Sequence, residues 1–126
     1  MPDAKSLKIL VVDDQQTMRG IARQCLKQIG VTQVTIVASG DAALDAMKSK
    51  PFDAVISDLN MPGMSGLELA EAKAGHPVLK AVPIFVATSA VYLDDLDRTH
   101  INGVVAKPFS AADMKQALET ALGAIA

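Results

Sequence analysis

Asp13, Asp14, Asp58, Thr88 (or its neighbour Ser89) and Lys107 all fall where a short apolar run gives out. Asp58 is the most telling of them. Val55-Ile56-Ser57 leads straight into its carboxylate, and Asn60-Met61-Pro62-Gly63 turns the chain away behind it. An ionised carboxylate at the end of a buried strand is costly unless its pKa moves or a partner is found. Three such acids at one edge repel each other as well. Two compensations are available: Lys107 as a point-charge counter-ion, and a hard divalent cation held by carboxylates and a backbone carbonyl. Mg²⁺ suits the second role best, because it keeps several waters and is commonly completed by phosphate oxygens. A hydroxyl, an ammonium and Mg²⁺ around one carboxylate are what a phosphoryl group needs, with its charge spread over three oxygens. Asp58 then becomes a nucleophile able to form an acyl phosphate. Taken singly, each residue has a plainer account: Asp14 as a helix cap, Thr88 as strand propensity, Lys107-Pro108 as a surface turn. Their coincidence at one edge is what favours chemistry.

That coincidence depends on the elements that carry them. Leu7 to Val12, Val31 to Val37, Phe52 to Ser57, Ile84 to Ala87 and Gly103 to Ala106 have the apolar or β-branched character of strands. Between them lie helical patterns. Met18, Ile21, Ala22, Cys25, Leu26 and Ile29 recur on one stripe that Gly30 closes. Ser39-Gly40-Asp41 opens a second helix, with Ala43, Leu44 and Met47 inward and Pro51 ending it. Ser65 can cap a third, with Leu67, Leu69, Ala70 and Ala74 as its apolar face and an end near Gly75. Residues 91–102 predict only a short or irregular fourth helix, since Asp94, Asp95 and Asp97 interrupt Val91, Tyr92, Leu93 and Leu96. Ser110 caps a last helix, with Met114, Ala117, Leu118, Ala121, Leu122 and Ile125 on one stripe. Strands alternating with helices imply an α/β fold, a doubly wound five-stranded parallel sheet with helices on both faces. In such sheets the site lies at the carboxyl ends of the strands, beside the point where strand order reverses.

Composition narrows the function from the other side. The 126 residues suggest one domain spanning 1–126, 50% hydrophobic and 21% charged, an ordinary globular balance. A net charge of -2 gives no electrostatic case for nucleic acid or an anionic membrane. Cys25 is the single cysteine, so no internal disulfide forms, and it is expected as inert core. No stretch is apolar for long enough to be a signal peptide or a span, so a cytoplasmic monomer is expected.

With these residues in place, the chain resembles the receiver domain of two-component response regulators, of the stand-alone CheY type. The carriers are Val11-Val12-Asp13-Asp14, Asp58-Leu59-Asn60-Met61-Pro62-Gly63-Met64-Ser65-Gly66, Ala87-Thr88-Ser89 and Val105-Ala106-Lys107-Pro108-Phe109. The resemblance implies a flavodoxin-like, CheY-like fold over essentially the whole chain. It implies Asp58 as phosphoacceptor, fed by the phosphohistidine of a histidine kinase. Asp14, Asp58 and the Asn60 carbonyl would ligate Mg²⁺, with Asp13 acting mainly through a bound water. Thr88 would bond a phosphoryl oxygen after transfer, Lys107 would pair with it, and the Lys107-Pro108 bond would be cis. Two features depart from the family. Val104 stands where a switch aromatic is usual, and the segment between Thr88 and Lys107 is short. Ser89-Ala90 offers a competing alignment for the hydroxyl.

The function expected is a signalling switch rather than an enzyme, delivered by binding another protein. A flagellar motor component, as in chemotaxis, or a histidine phosphotransferase in a relay or phosphate sink would be that protein. A Mg²⁺-dependent phosphohydrolase is the enzymatic rival, and Asn60 stands where it would want a second acid. A flavin module of the same shape would need ring-stacking aromatics and a phosphate loop, which the sequence lacks. His76 and His100 read as surface residues, the Asp94-Asp95-Asp97 acids as a solvated face, and Tyr92, Met61 and Met64 as packing.

Overall fold

The computed structural model describes residues 3–88 and 98–125. Its strands are β1 (Lys8–Val12), β2 (Gln33–Val37), β3 (Ala54–Asp58), β4 (Ile84–Thr88) and β5 (Gly103–Ala106). They form one sheet in the order β2-β1-β3-β4-β5, with every pairing parallel. The α-helices among the described residues are α1 (Gln16–Ile29), α2 (Gly40–Ser49), α3 (Gly66–Ala74) and α4 (Ala111–Leu122).

Alternation along the strands divides the core in two. Ile9, Val11, Ile56, Phe85 and Val105 face one way and pack with Ala22, Leu26, Met114 and Leu118 of α1 and α4. Leu10, Val12, Val55 and Ile84 face the other way, against Ala43 and Met47 of α2 and Leu69 and Ala70 of α3. All residues of β3 and β4 are buried, as continuous apolar runs in a doubly covered sheet require. The strand order reverses between β1 and β3, so the cleft at their carboxyl ends receives the residues that follow both.

Several expectations need correcting in detail. β2 starts at Gln33, and Val31 before it is buried core instead of strand. β4 runs on to include Thr88. On α3 the buried positions are Gly66, Leu69, Ala70 and Lys73, while Leu67 and Ala74 are only half-buried. Ala121 is exposed, whereas Ile125 is buried although it lies past the end of α4. Cys25 is buried as expected, and burial pushes its thiol pKa up. His100 is exposed; His76 is half-buried, and its Nδ1 accepts from the Val78 amide at 3.3 Å.

The expected fourth helix falls mostly on residues outside those described, together with Ser89, Tyr92, Asp94, Asp95 and Asp97. Just ahead of β5, a side-chain and backbone clip holds the chain to β4. Asn102 donates its amide to Ile84 O at 2.8 Å and accepts the Ile84 amide on its side chain at 2.9 Å, fixing where β5 begins.

Candidate functional site

The carboxyl edge is assembled by the backbone first. The Asp13 amide donates to Val37 O at 3.1 Å as the chain leaves β1, and Leu59 N donates to Ala87 O at 3.0 Å as it leaves β3. Lys107 N donates to Thr88 O at 2.9 Å, tying the exit of β5 to the end of β4. The Lys107-Pro108 bond is cis, as the resemblance implied.

Behind Asp58 the chain turns through Gly63 at φ +81, a left-handed conformation glycine adopts without strain. It then enters α3 at Gly66, whose amide donates to Leu59 O at 2.9 Å. A side chain on Gly66 would come within 2.4 Å of the Asp58 carbonyl oxygen. Only glycine lets the first turn of α3 lie this close to the strand end. Ser65 caps that turn with a reciprocal box, its Oγ accepting from Glu68 N and the Glu68 carboxylate accepting from Ser65 N.

Three carboxylates and one ammonium meet here. Lys107 Nζ lies 2.8 Å from Asp58 Oδ1 and 3.2 Å from Asp13 Oδ2. Asp13, Asp14 and Asp58 each offer an oxygen within 4.8 Å of the others. Asp13 and Asp58 are buried, while Asp14 is exposed. Asp13 also accepts the Gln15 amide on Oδ1 at 2.9 Å, so it, not Asp14, makes the turn-closing bond ahead of α1.

The electrostatic balance is unequal. Burial raises the Asp58 pKa; the Lys107 hydrogen bond and charge oppose that rise, and the Asp13 and Asp14 charges add to it, leaving a net increase. Burial acts on Lys107 in the opposite sense, but the hydrogen bond and charge of Asp58, together with Asp13, outweigh it and hold its pKa above the ordinary lysine value. One ammonium therefore does not balance the acids around it. A donor set of carboxylate oxygens with this excess of negative charge fits a hard divalent cation such as Mg²⁺.

Thr88 adds the remaining feature. Its hydroxyl is buried and, among the described residues, makes no hydrogen bond. A buried hydroxyl left unpaired is uncommon, and an oxygen of a water or of a bound ligand would satisfy it. The structure thus brings together Asp13, Asp14, Asp58 and Lys107 by direct distances. Thr88 is the last residue of β4, paired with Ala106 just before Lys107, and Asn60 is exposed just past β3. Val104, at the position of the usual switch aromatic, is half-buried on β5.

Sequence reasoning missed Lys73. It is buried, it donates to Lys80 O at 3.1 Å, and burial lowers its pKa. The signal was its spacing, one turn beyond Leu69 and Ala70, set against a side-chain type that argues for solvent.

A sequence profile of the response regulator receiver domain matches residues 9–119. The chemotaxis protein CheY of Pseudomonas aeruginosa is 36% identical over 116 residues, covering 90% of this chain and 94% of that one. A probable chemotaxis protein CheY of Rhizobium etli is 34% identical, covering 99% of both. Among solved structures, the chemotaxis response regulator CheY4 of Vibrio cholerae superposes with a TM-score of 0.79 at 30% identity, over 92% of this chain and 98% of that one. The receiver domain of a Pseudomonas aeruginosa sensor histidine kinase, with a magnesium ion coordinated in its active-site cleft, gives 0.81 at 25% identity, over 94% and 98%.

Proposed function

The chain belongs to the response regulator receiver domain family, of CheY type, and on that footing we propose a phosphorylation-driven switch centred on Asp58. The observation that carries this reading is the Lys107 ammonium held between Asp58 and Asp13, beside a third acid that it leaves uncompensated.

The phosphodonor is the phosphohistidine of a histidine kinase. An Asp58 carboxylate oxygen attacks phosphorus; the P–O bond forms as the P–N bond breaks, and the leaving imidazole keeps that electron pair and takes up a proton. Lys107 opposes the rise in the Asp58 pKa and orients its carboxylate before transfer, and pairs with a phosphoryl oxygen after it. Asp14, Asp58 and the Asn60 carbonyl, with Asp13 through water, would hold Mg²⁺, which when bound neutralises phosphoryl oxygens and quiets the repulsion among the acids. The Thr88 hydroxyl, unpaired among the described residues, donates to a phosphoryl oxygen. Drawing Thr88 inward shifts the surface around the ends of β4 and β5 and biases a two-state equilibrium that a partner reads.

Relatives named as chemotaxis proteins favour a role in chemotaxis, and on that reading the chain acts as a cytoplasmic monomer on a flagellar motor component. The alternative is a relay shuttle or phosphate sink exchanging with a histidine phosphotransferase. Pull-downs comparing phosphorylated and unphosphorylated protein separate the two. Turnover as a phosphohydrolase is disfavoured by Asn60, whose amide is far too weak an acid to serve as a general acid.

The test is incubation with Mg²⁺ and acetyl phosphate followed by intact-mass measurement of wild type and Asp58→Asn. The wild type gains one labile phosphoryl group and the variant does not. Equal gain by both, or none by either, removes the proposal.

A further inference from the structure

Asp14 is exposed, and no described residue donates a hydrogen bond to its carboxylate. Metal ligands are ordinarily aimed by partners of their own, and losing those partners weakens metal binding. Among the described residues, Asp14 has only its main chain to aim it. Besides the Lys107 bond to its carboxylate, Asp13 is held by three contacts. Two are the Asp13 amide to Val37 O and the Gln15 amide to Asp13 Oδ1. The third comes from a side chain: Arg19 Nη1 donates to the Asp13 carbonyl oxygen at 2.8 Å.

The carbonyl that Arg19 grips belongs to the Asp13–Asp14 peptide plane. A peptide unit is rigid, so fixing that oxygen fixes the plane from which the Asp14 Cα departs. Arg19 is half-buried in the first turn of α1, and its own amide donates to Gln15 O at 3.1 Å. The start of α1 has no side-chain cap, since Gln15 makes none. Arg19 therefore adds a second side-chain tether to this helix start, beside the Asp13 carboxylate on the Gln15 amide, and a charge-assisted bond is the stronger kind for the purpose.

We infer that Arg19 is a positioning residue for the metal centre, acting on Asp14 through the Asp13–Asp14 peptide. The inference rests on the receiver reading of the acids as Mg²⁺ ligands. Positioning and simple charge make opposite predictions for its removal. A guanidinium near the site repels a dication, so on charge alone Arg19→Ala binds Mg²⁺ more tightly. If Arg19 positions the loop, the same change binds Mg²⁺ more weakly.

The experiment titrates the full chain with Mg²⁺ at constant ionic strength and follows backbone amide shifts, with amide hydrogen exchange measured on the metal-free protein. Arg19→Ala weakens Mg²⁺ binding about tenfold, the lower end of what loss of an outer partner costs. It also speeds exchange at the Gln15 amide while the core strands stay protected. Arg19→Met, which keeps the apolar stem and loses every donor, behaves as the alanine does and carries the test should the alanine variant not fold. Arg19→Lys, which retains a charged donor, recovers most of the affinity. Arg23→Ala, one turn on and exposed, binds as wild type does. Mg²⁺ binding in Arg19→Ala and Arg19→Met as tight as wild type or tighter overturns the inference while leaving the receiver reading intact. A wild type with no saturable Mg²⁺ response removes both.

Discussion

The buried carboxylate of Asp58 is costly to the metal-free protein. Its pKa is raised, so its stabilising contribution is present below the unfolded value of 3.8 and is lost as pH rises through the folded value. At neutral pH the fold bears that loss. Asp58→Asn, with Lys107 still paired to Asp13, is expected to stabilise the metal-free protein at pH 7 by about 1 kcal/mol, a usual scale for one site. The gain should shrink as the pH is lowered towards 3.8. Urea unfolding at several pH values with Mg²⁺ chelated reads both effects. Lys107 runs on the opposite arm of the scale. Its raised pKa keeps its contribution whole below 10.5, and the loss comes only above that value. Thr88 supplies a second prediction. Its buried hydroxyl has no partner to lose among the described residues, so Thr88→Val should leave metal-free stability unchanged or raise it by up to about 1 kcal/mol. Its defect should appear only after phosphorylation, as a smaller response in the amide shifts of residues 103–107.

At the scale of elements, α3 shows how closely the site is built. Gly66→Ala would drive a methyl into the Asp58 carbonyl, with backbone on both sides, and should cost about 2–3 kcal/mol in thermal or urea unfolding. Ser65→Ala loses only its half of the capping box and should cost about 1 kcal/mol. An order reversed between these two variants would contradict the packing described. The stripe of α1 was legible because Ala22, Cys25 and Leu26 really are its buried face, and Gly30 stops it at φ +104. The face of α3 was misread by one position. Leu67 and Ala74 drew the stripe to one side, whereas burial follows Gly66, Leu69, Ala70 and Lys73. Spacing carried the correct phase, and the ammonium on Lys73 hid it. β2 was drawn too long for a similar reason: Val31 is buried by packing, and burial alone does not make a strand.

At the scale of the molecule, the parallel order β2-β1-β3-β4-β5 turns four separate segments into one cluster. This much was legible, because apolar runs ending on acids, a hydroxyl and a lysine can meet only if the strands run parallel. What the sequence did not carry was the detail of the meeting: Lys107 bridging two acids in the resting protein, Asp13 closing the turn ahead of α1, and Arg19 holding its carbonyl. Those depend on side-chain reach, which periodicity does not encode. Because the acids outnumber their counter-ion, Mg²⁺ should act as a folding ligand. At a hundredfold excess over its dissociation constant it should stabilise the wild type by about 2.7 kcal/mol, and Asp14→Ala by much less, in the same unfolding assay. The central claim, that Asp58 itself becomes an acyl phosphate, is tested most directly by reduction. Borohydride converts an acyl phosphate to the alcohol, so protein treated with acetyl phosphate and Mg²⁺, then reduced and digested, should carry homoserine at position 58 and aspartate at positions 13 and 14. Homoserine at position 13 or 14, or aspartate unchanged at all three, would contradict it.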